Sequence, residues 1–199
     1  MTPYFVPGDY GVALLAGVRQ RGARVVVITN SLASTNSVSV HSGYRRYRRA
    51  LLEAGVELYE IKPTASSRRR RSGGGWFRSI SSGASKGDGA SESSLHAKAF
   101  AFDRGIGFVG SYNLDPRSSR LNTEMGVVFE CPPLAKRLPE ESQSDLIHTA
   151  YRVELNGRHL VWVTHEGDQE VRHMSEPKAS LQKRIKVQVL SWLPIEWML

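Results

Sequence analysis

The spacing of apolar residues changes several times along the chain, and each change marks an element. Between Asp9 and Arg21, Val12, Leu15 and Val18 recur at helical spacing and Gly22 closes the run, which predicts a helix capped by Asp9. Ahead of it, Tyr4-Phe5-Val6 reads as a strand end and Pro7-Gly8 as a turn. Arg24 to Thr29 is short, β-branched and apolar, the pattern of a buried parallel strand. This strand–helix–strand order predicts a βαβ unit, whose ligands gather at the carboxyl ends of its strands. Thr29-Asn30-Ser31 lies at such an end and is a candidate phosphate contact. His41 to Ala54 follows as a helix, with Tyr44, Tyr47 and Leu51 on its apolar stripe and Arg45, Arg46, Arg48 and Arg49 around it. Gly55 ends that helix, and Val56 to Ile61 is the next strand.

From Leu95 the period becomes two. His96, Lys98, Phe100 and Phe102 share one strand face, and Ala97, Ala99 and Ala101 the other. Asp103-Arg104-Gly105 is a turn, and Ile106 to Val109 returns as a second strand. Gly110 to Asn113 forms a polar loop, and Leu114 to Leu121 a short helix with Asp115 as N-cap and Pro116 at its first position. Glu124 opens a last strand of this group, Met125 to Phe129. Pro132-Pro133 is expected to break the chain, with part of 134–150 helical. Tyr151–Leu155 and Arg158–Thr164, joined at Asn156-Gly157, predict a β-hairpin that leaves His159 and His165 exposed. The tail from Pro177 to Leu199 is amphipathic, with Leu181, Ile185 and Val189 set among Lys183, Arg184 and Lys186. Two readings of it stay open: packing on its own domain, and lying in a membrane interface.

Residues 64–94 differ in kind: Ser, Gly and Arg dominate and no apolar period survives. They read as a flexible insertion whose Trp76, Phe77 and Ile80 can rest with the neighbouring arginines on an anionic membrane, or serve only as a spacer. The expected organisation is one α/β domain in three stretches: 1–63 as its first βαβ part, 64–94 as the insertion, and 95–199 as the remainder.

A length of 199 residues suits one such domain, and 40% hydrophobic with 23% charged residues fits a globular protein. The net charge of +8 favours an anionic partner, whether phospholipid, nucleic acid or phosphorylated substrate. Cys131 is the only cysteine, which excludes an intrachain disulfide and a cysteine-rich metal site. No run approaches the ~20 apolar residues of a membrane span, and MTPYFVPGDYG lacks the features of a signal peptide. Because the chain opens directly on a strand end, it reads as a fragment or a shortened gene product.

The candidate chemistry is phosphodiester transfer. A neutral imidazole at His96 can attack phosphorus and split one hard displacement into two easier ones. Lys98 and the Asn113 amide can hold the non-bridging oxygens, the Ser111 hydroxyl can add a hydrogen bond, and Glu124 is the candidate to fix the imidazole tautomer.

The pattern His96-x-Lys98-x4-Asp103-x6-Gly110-Ser111-x-Asn113 resembles the HKD motif of the phospholipase D superfamily. The text NLDPRS from Asn113 to Ser118, the later Asn122-Thr123-Glu124, and the stretches TPYFVPGD and VHSGYRRYRRALLEAGVELYEIKP are similar to the second half of bacterial C-type cardiolipin synthases. The resemblance implies a phospholipase D-like sandwich, a mixed β-sheet flanked by helices, present here as one of the usual two halves. It implies a phosphatidyltransferase with catalytic His96, Lys98, Asp103 and Glu124, and with Ser111, Asn113, Arg117 and His41 on the substrate phosphate. Of the catalytic four, Asp103 reads from its turn position as structural rather than as a proton carrier. No metal or other cofactor is implied. The implied partners are phosphatidylglycerol and phosphatidylethanolamine, the inner face of the cytoplasmic membrane, and a second HKD half, with nucleic acid less favoured. Such synthases carry two HKD motifs, whereas His41, His148, His159, His165 and His173 have no lysine two residues on. The alternatives are a homodimeric phosphodiesterase or nuclease, and an inactive membrane-binding fragment.

Overall fold

The computed structural model describes residues 1–63, 94–143 and 146–193. Almost all of the Ser/Gly/Arg-rich insertion, with Trp76, Phe77 and Ile80, lies outside the described residues, as does Trp197.

Two sheets carry the fold. The first contains β1 (Val26–Asn30), β2 (Glu57–Ile61), β6 (Ala150–Asn156), β7 (His159–Glu166) and β8 (Gln169–His173), hydrogen-bonded in that order. Only β1 and β2 run parallel, with Ile28 opposite Tyr59, and the remaining pairs are antiparallel. The second contains β3 (Ala99–Phe102), β4 (Ile106–Gly110) and β5 (Gly126–Glu130), all antiparallel. The first residues bridge the two sheets: Thr2 N donates to Ile28 O (3.0 Å), and Ala99 N donates to Met1 O (3.0 Å).

Helices α1 (Gly8–Gln20) and α2 (Val38–Glu53) cover one face of the larger sheet. Phe5, Tyr44, Leu51, Leu58, Tyr151, Val153 and Trp162 are buried together there. Ser37 caps α2 by accepting from Val40 N. Asp9, the expected cap of α1, falls inside its first turn, and Pro7 holds the N-cap position without a side-chain bond. A second cluster joins Ile28, Leu95, Ala97, Leu146 and Ala150 on the opposite side. The short helix α3 (Pro116–Arg120) follows the loop after β4, while α4 (Pro132–Gln143) packs on β3 and β4 and α5 (Leu146–Thr149) on β6 and β7. Pro132 and Pro133 begin α4 rather than break the chain, because the first helical turn needs no donated N–H from them.

The hairpin between β6 and β7 turns at Gly157-Arg158, with Asn156 still paired to His159. The turn thus falls one residue later than the Asn-Gly signal implied, and Gly157, at φ +59°, is its first central residue rather than its second. The tail helix α6 (Leu181–Leu190) packs against α2 through the buried Val187. No helix among the described residues is long and apolar enough to cross a membrane.

Inside the α2 layer lies a buried ionic knot. Arg48 is fully buried, its Nε 3.0 Å from Glu60 and its Nη1 2.7 Å from Glu176. Its guanidinium, which has only donors, also donates to His41 Nε2 at 2.5 Å. Tyr44 and Trp162 donate to the two oxygens of Glu60 (3.2 and 2.9 Å). One guanidinium thus ties α2 to β2 and to the segment before α6. Burial alone would raise the Glu176 carboxyl, but the Arg48 guanidinium outweighs it and holds it well below the usual carboxylate range.

Candidate active site

The site forms where β3, β4 and β5 end together. Asn30, at the end of β1, clamps the backbone just before β3: Leu95 N donates to Asn30 Oδ1 (2.8 Å), and Asn30 Nδ2 donates to Leu95 O (3.1 Å). Leu95, Ala97 and Ala99 then face the core, which turns His96 and Lys98 outward. His96 is exposed and Lys98 half-buried, its Nζ donating to His96 O at 3.2 Å. Partial burial lowers the Lys98 ammonium pKa, and the carboxylates of Glu124 and Asp115 oppose that shift.

The loop after β4 comes alongside. Gly110 N donates to Lys98 O (3.1 Å), and Ser111 N donates to Met125 O (2.8 Å). A side chain at Gly110 would put its Cβ 2.5 Å from Met125 O and 2.7 Å from Gly126 Cα, so only glycine allows this approach. Asn113 is buried, its N–H donating to Ser118 Oγ (3.3 Å) and its Oδ1 accepting from Thr2 (3.4 Å). The Asn113 Nδ2 makes no hydrogen bond among the described residues. Asp115 caps α3 by accepting from Ser118 N (2.7 Å), as its position ahead of Pro116 predicts. Burial nevertheless raises its carboxyl above the ordinary value.

Glu124 is held by the loop beside Lys98. One oxygen accepts from Ser111, and the other accepts from Ser118 (2.8 Å) and Asn122 (3.2 Å). With both oxygens engaged by the loop, the carboxylate braces Ser111 and the start of α3. These bonds, Ser111's first and then Ser118's, lower its pKa.

The other candidates stand elsewhere. Asp103 is exposed on the β3–β4 turn at φ +48°, five residues beyond Lys98 and hence ~17 Å along an extended strand. It closes the turn and is too distant to share a proton with His96. His41 is buried in the Arg48 knot, so its imidazole is not presented to a phosphate. Thr29, Asn30 and Ser31 are likewise buried, and Asn30 serves backbone positioning. Arg117 is exposed and donates to Asn122 Oδ1 (3.2 Å) at the rim of the loop.

The structure therefore gathers His96, Lys98, Ser111, Asn113 and Glu124 at one end of the small sheet. Sequence reasoning missed Ser118 and Asn122 as partners of Glu124, and Asn30 as the clamp on Leu95. The Asn-x-Glu spacing around Thr123 was visible, but which side chains it would meet was not. Among the described residues no group of three or more His, Cys, Asp or Glu is placed to hold a metal ion.

On the face bearing His96 and Lys98, Phe100 stacks on Phe108 at 5.2 Å, and Phe102, Ile106 and Val128 are 56%, 44% and 71% exposed. The site thus sits at the margin of an apolar sheet face that no described residue covers. An exposed imidazole, a neighbouring ammonium and an unengaged amide suit an oxyanion at phosphorus.

A mixed five-stranded sheet beside a three-stranded antiparallel one, with the His-x-Lys segment leading into the latter and a Gly-Ser-x-Asn loop alongside, is the arrangement of a phospholipase D-like domain. A family model described as "Cardiolipin synthase, PLD-like domain" matches residues 1–146, and the chain belongs to that family. Cardiolipin synthase C of Escherichia coli K12 is 40% identical over 201 residues, covering 100% of this chain and 40% of that protein. Cardiolipin synthase A of Buchnera aphidicola is 27% identical over 150 residues, which is 75% of this chain and 23% of that protein. The chain therefore spans well under half of these relatives. Two solved structures share the fold at 16% identity. Nuc of Salmonella typhimurium, a phospholipase D family member, has a TM-score of 0.52 over 78% of this chain and 80% of that one. Phosphatidylserine synthase of Haemophilus influenzae has 0.55 over 100% of this chain and 40% of that one.

Proposed function

We propose that this chain supplies one half of the active site of a cardiolipin synthase-like phosphatidyltransferase. The observation that carries the reading is the single His96–Lys98–Asn113 set opening beside an apolar face that nothing in the described chain covers. A second HKD half, from a longer polypeptide or another chain, would cover that face and bring the second imidazole.

In this reading the reaction is two displacements at one phosphodiester. One imidazole attacks phosphorus as the bond to the departing alkoxide breaks, and the opposing imidazolium gives that alkoxide its proton. The neutral imidazole left behind then takes the proton of an incoming alcohol, whose oxygen attacks phosphorus and breaks the P–N bond. Following the family's order, His96 is the acid–base partner, and Lys98 and Asn113 hold the non-bridging oxygens. Ser111 is fixed by Glu124, and Arg117 offers a peripheral cation. In this reading the incoming alcohol is the free glycerol hydroxyl of phosphatidylglycerol. The phosphatidyl donor is phosphatidylethanolamine, whose ethanolamine leaves, or a second phosphatidylglycerol, whose glycerol leaves, and both lipids are met at the inner face of the cytoplasmic membrane.

The test supplies labelled phosphatidylglycerol and phosphatidylethanolamine to the chain together with an upstream HKD half. Cardiolipin and released alcohol should appear and should vanish with His96→Ala; neither product in the complete mixture would refute the reading. A second reading, a homodimeric phosphodiesterase, draws on the same uncovered face and on the coverage of 80% of Nuc. Activity persisting in a strictly monomeric sample would exclude it.

A further inference from the structure

Helix α6 turns the wrong way for a helix whose only task is to complete the core. Its buried residue is Val187, 1% exposed and packed with Leu32, Ala33 and Ala179. Leu181, Ile185 and Val189, spaced by four, are 71%, 56% and 49% exposed, and Trp192 beyond them is 73% exposed. At 100° per residue this stripe lies on the far side of the helix from Val187. Arg184 and Lys186 flank it on either side, where their stems can follow apolar surface while their charges reach outward.

Beside the stripe opens a cleft of ≈ 650 Å³ between α6, α2 and the β6–β7 turn. Arg45, Arg49, Arg158 and Arg184 line it, with Trp162 and Met174 on its walls. Glu176 is the one carboxylate in the lining, and it is engaged by Arg48 and His41. Arg49 also pairs with Glu53 on the outer side of α2 (3.5 Å), and cations outnumber carboxylates among the described residues of the cleft. Lys183 Nζ donates to Ala33 O (3.2 Å), so α6 begins against the loop that leaves β1, whose last residue Asn30 clamps Leu95. The stripe therefore starts one loop away from the strand that carries His96.

We propose that α6 and the arginine cleft form a docking surface for an anionic phospholipid leaflet, with the stripe in the acyl boundary and the arginines on headgroup phosphates. Charge complementarity selects this occupant: an apolar ridge flanked by cations matches a leaflet with anionic headgroups over apolar tails. A neutral protein groove would leave the arginines unanswered. The proposal deepens the lipid reading of the active site by saying how substrate membrane is met, and it can fail independently of that reading.

The test uses the full 199-residue chain and vesicles of phosphatidylglycerol with phosphatidylcholine, compared with phosphatidylcholine alone, read by co-sedimentation and tryptophan emission. Binding should require phosphatidylglycerol and weaken with salt. Arg49→Gln with Arg158→Gln should lose roughly fivefold per arginine, and Ile185→Ser with Val189→Ser about tenfold or more. Thermal melts of both double variants should match the parent, which separates lost docking from lost folding. His96→Ala should bind vesicles fully while abolishing turnover in the mixture with an upstream HKD half, so failure of the catalytic reading leaves this result untouched. Conversely, turnover of a water-soluble short-chain lipid without vesicle binding would sink the docking surface alone. Unchanged binding in either double variant, or equal binding to phosphatidylcholine, would overturn it. So would capture of inorganic phosphate without vesicle attachment, or self-association that buries α6.

Discussion

Replacing Arg48 by Met should destabilise the domain more than any other single change to the α2 layer. The side chain is fully buried, with Glu60 at 3.0 Å and Glu176 at 2.7 Å. Methionine fills much of the space but leaves two carboxylates facing each other without a cation. Orphaning a buried charge in this way costs about 3–5 kcal/mol, against a total of about 5–15 kcal/mol for a typical domain. For a chain of this size that lowers the melting temperature by about 6–20 °C at pH 7. Tyr44 and Trp162 still donate to Glu60, so the loss should fall toward the lower end. The triple variant Arg48→Met, Glu60→Gln, Glu176→Gln should recover most of it, because no charge is then left unpaired. The pH dependence follows from the depressed Glu176 carboxyl. Its contribution to the parent is complete above the ordinary carboxylate pKa and is lost as pH falls through the lower folded value. In Arg48→Met the same carboxylates take up protons more readily, so the gap between the two melting curves should narrow from pH 7 to pH 4.5. Thermal and urea melts at both pH values are the assay. A single variant within ~1 kcal/mol of the parent at pH 7 would refute the reasoning, as would a triple variant no more stable than the single.

Other perturbations test the site itself. Asn30→Ala removes both hydrogen bonds to Leu95 and should cost ~2–4 kcal/mol while displacing His96, seen as a joint loss of stability and turnover. Gly110→Ala forces a Cβ against Met125 O and Gly126 Cα, and calorimetry should record a loss of about 1–3 kcal/mol. Glu124→Gln keeps one acceptor but sets an amide N–H against a neighbouring hydroxyl. Turnover in the complete enzyme should fall about 10²-fold with little change in melting temperature, because the loop carrying Ser111 is misplaced. Because partial burial lowers the Lys98 ammonium pKa, the alkaline limb of the turnover profile should begin below the ordinary lysine value of 10.5 and disappear in Lys98→Arg.

What the sequence revealed, and what it withheld, follows from the range of the interactions involved. The HKD spacing placed His96, Lys98, Ser111 and Asn113 correctly at one end of a hairpin, because strand alternation and a glycine loop are local facts. The cap at Asp115 was legible for the same reason. The strand β8 was missed, because Gln169–His173 is largely polar and pairs only through β7. Two further misses came from long-range contacts. His41 looked like a residue at a sheet edge, but Glu176, far away in the sequence, closes over it. Glu124 was not seen as a brace of the loop, because nothing in the local spacing says that Ser118 and Ser111 fold back onto its two oxygens. In α6, spacing correctly marked Leu181, Ile185 and Val189 as a stripe, yet the helix is anchored by Val187 on another face. Periodicity identifies a stripe; it does not say which medium the stripe meets.

The central claim is tested most directly by titrating the chain with a purified upstream HKD half and measuring cardiolipin formed from labelled phosphatidylglycerol. The account predicts no turnover from either alone, a rise that saturates at equimolar mixing, and a flat baseline with His96→Ala. Turnover by the isolated monomer, or none at any ratio of the two halves, would contradict it.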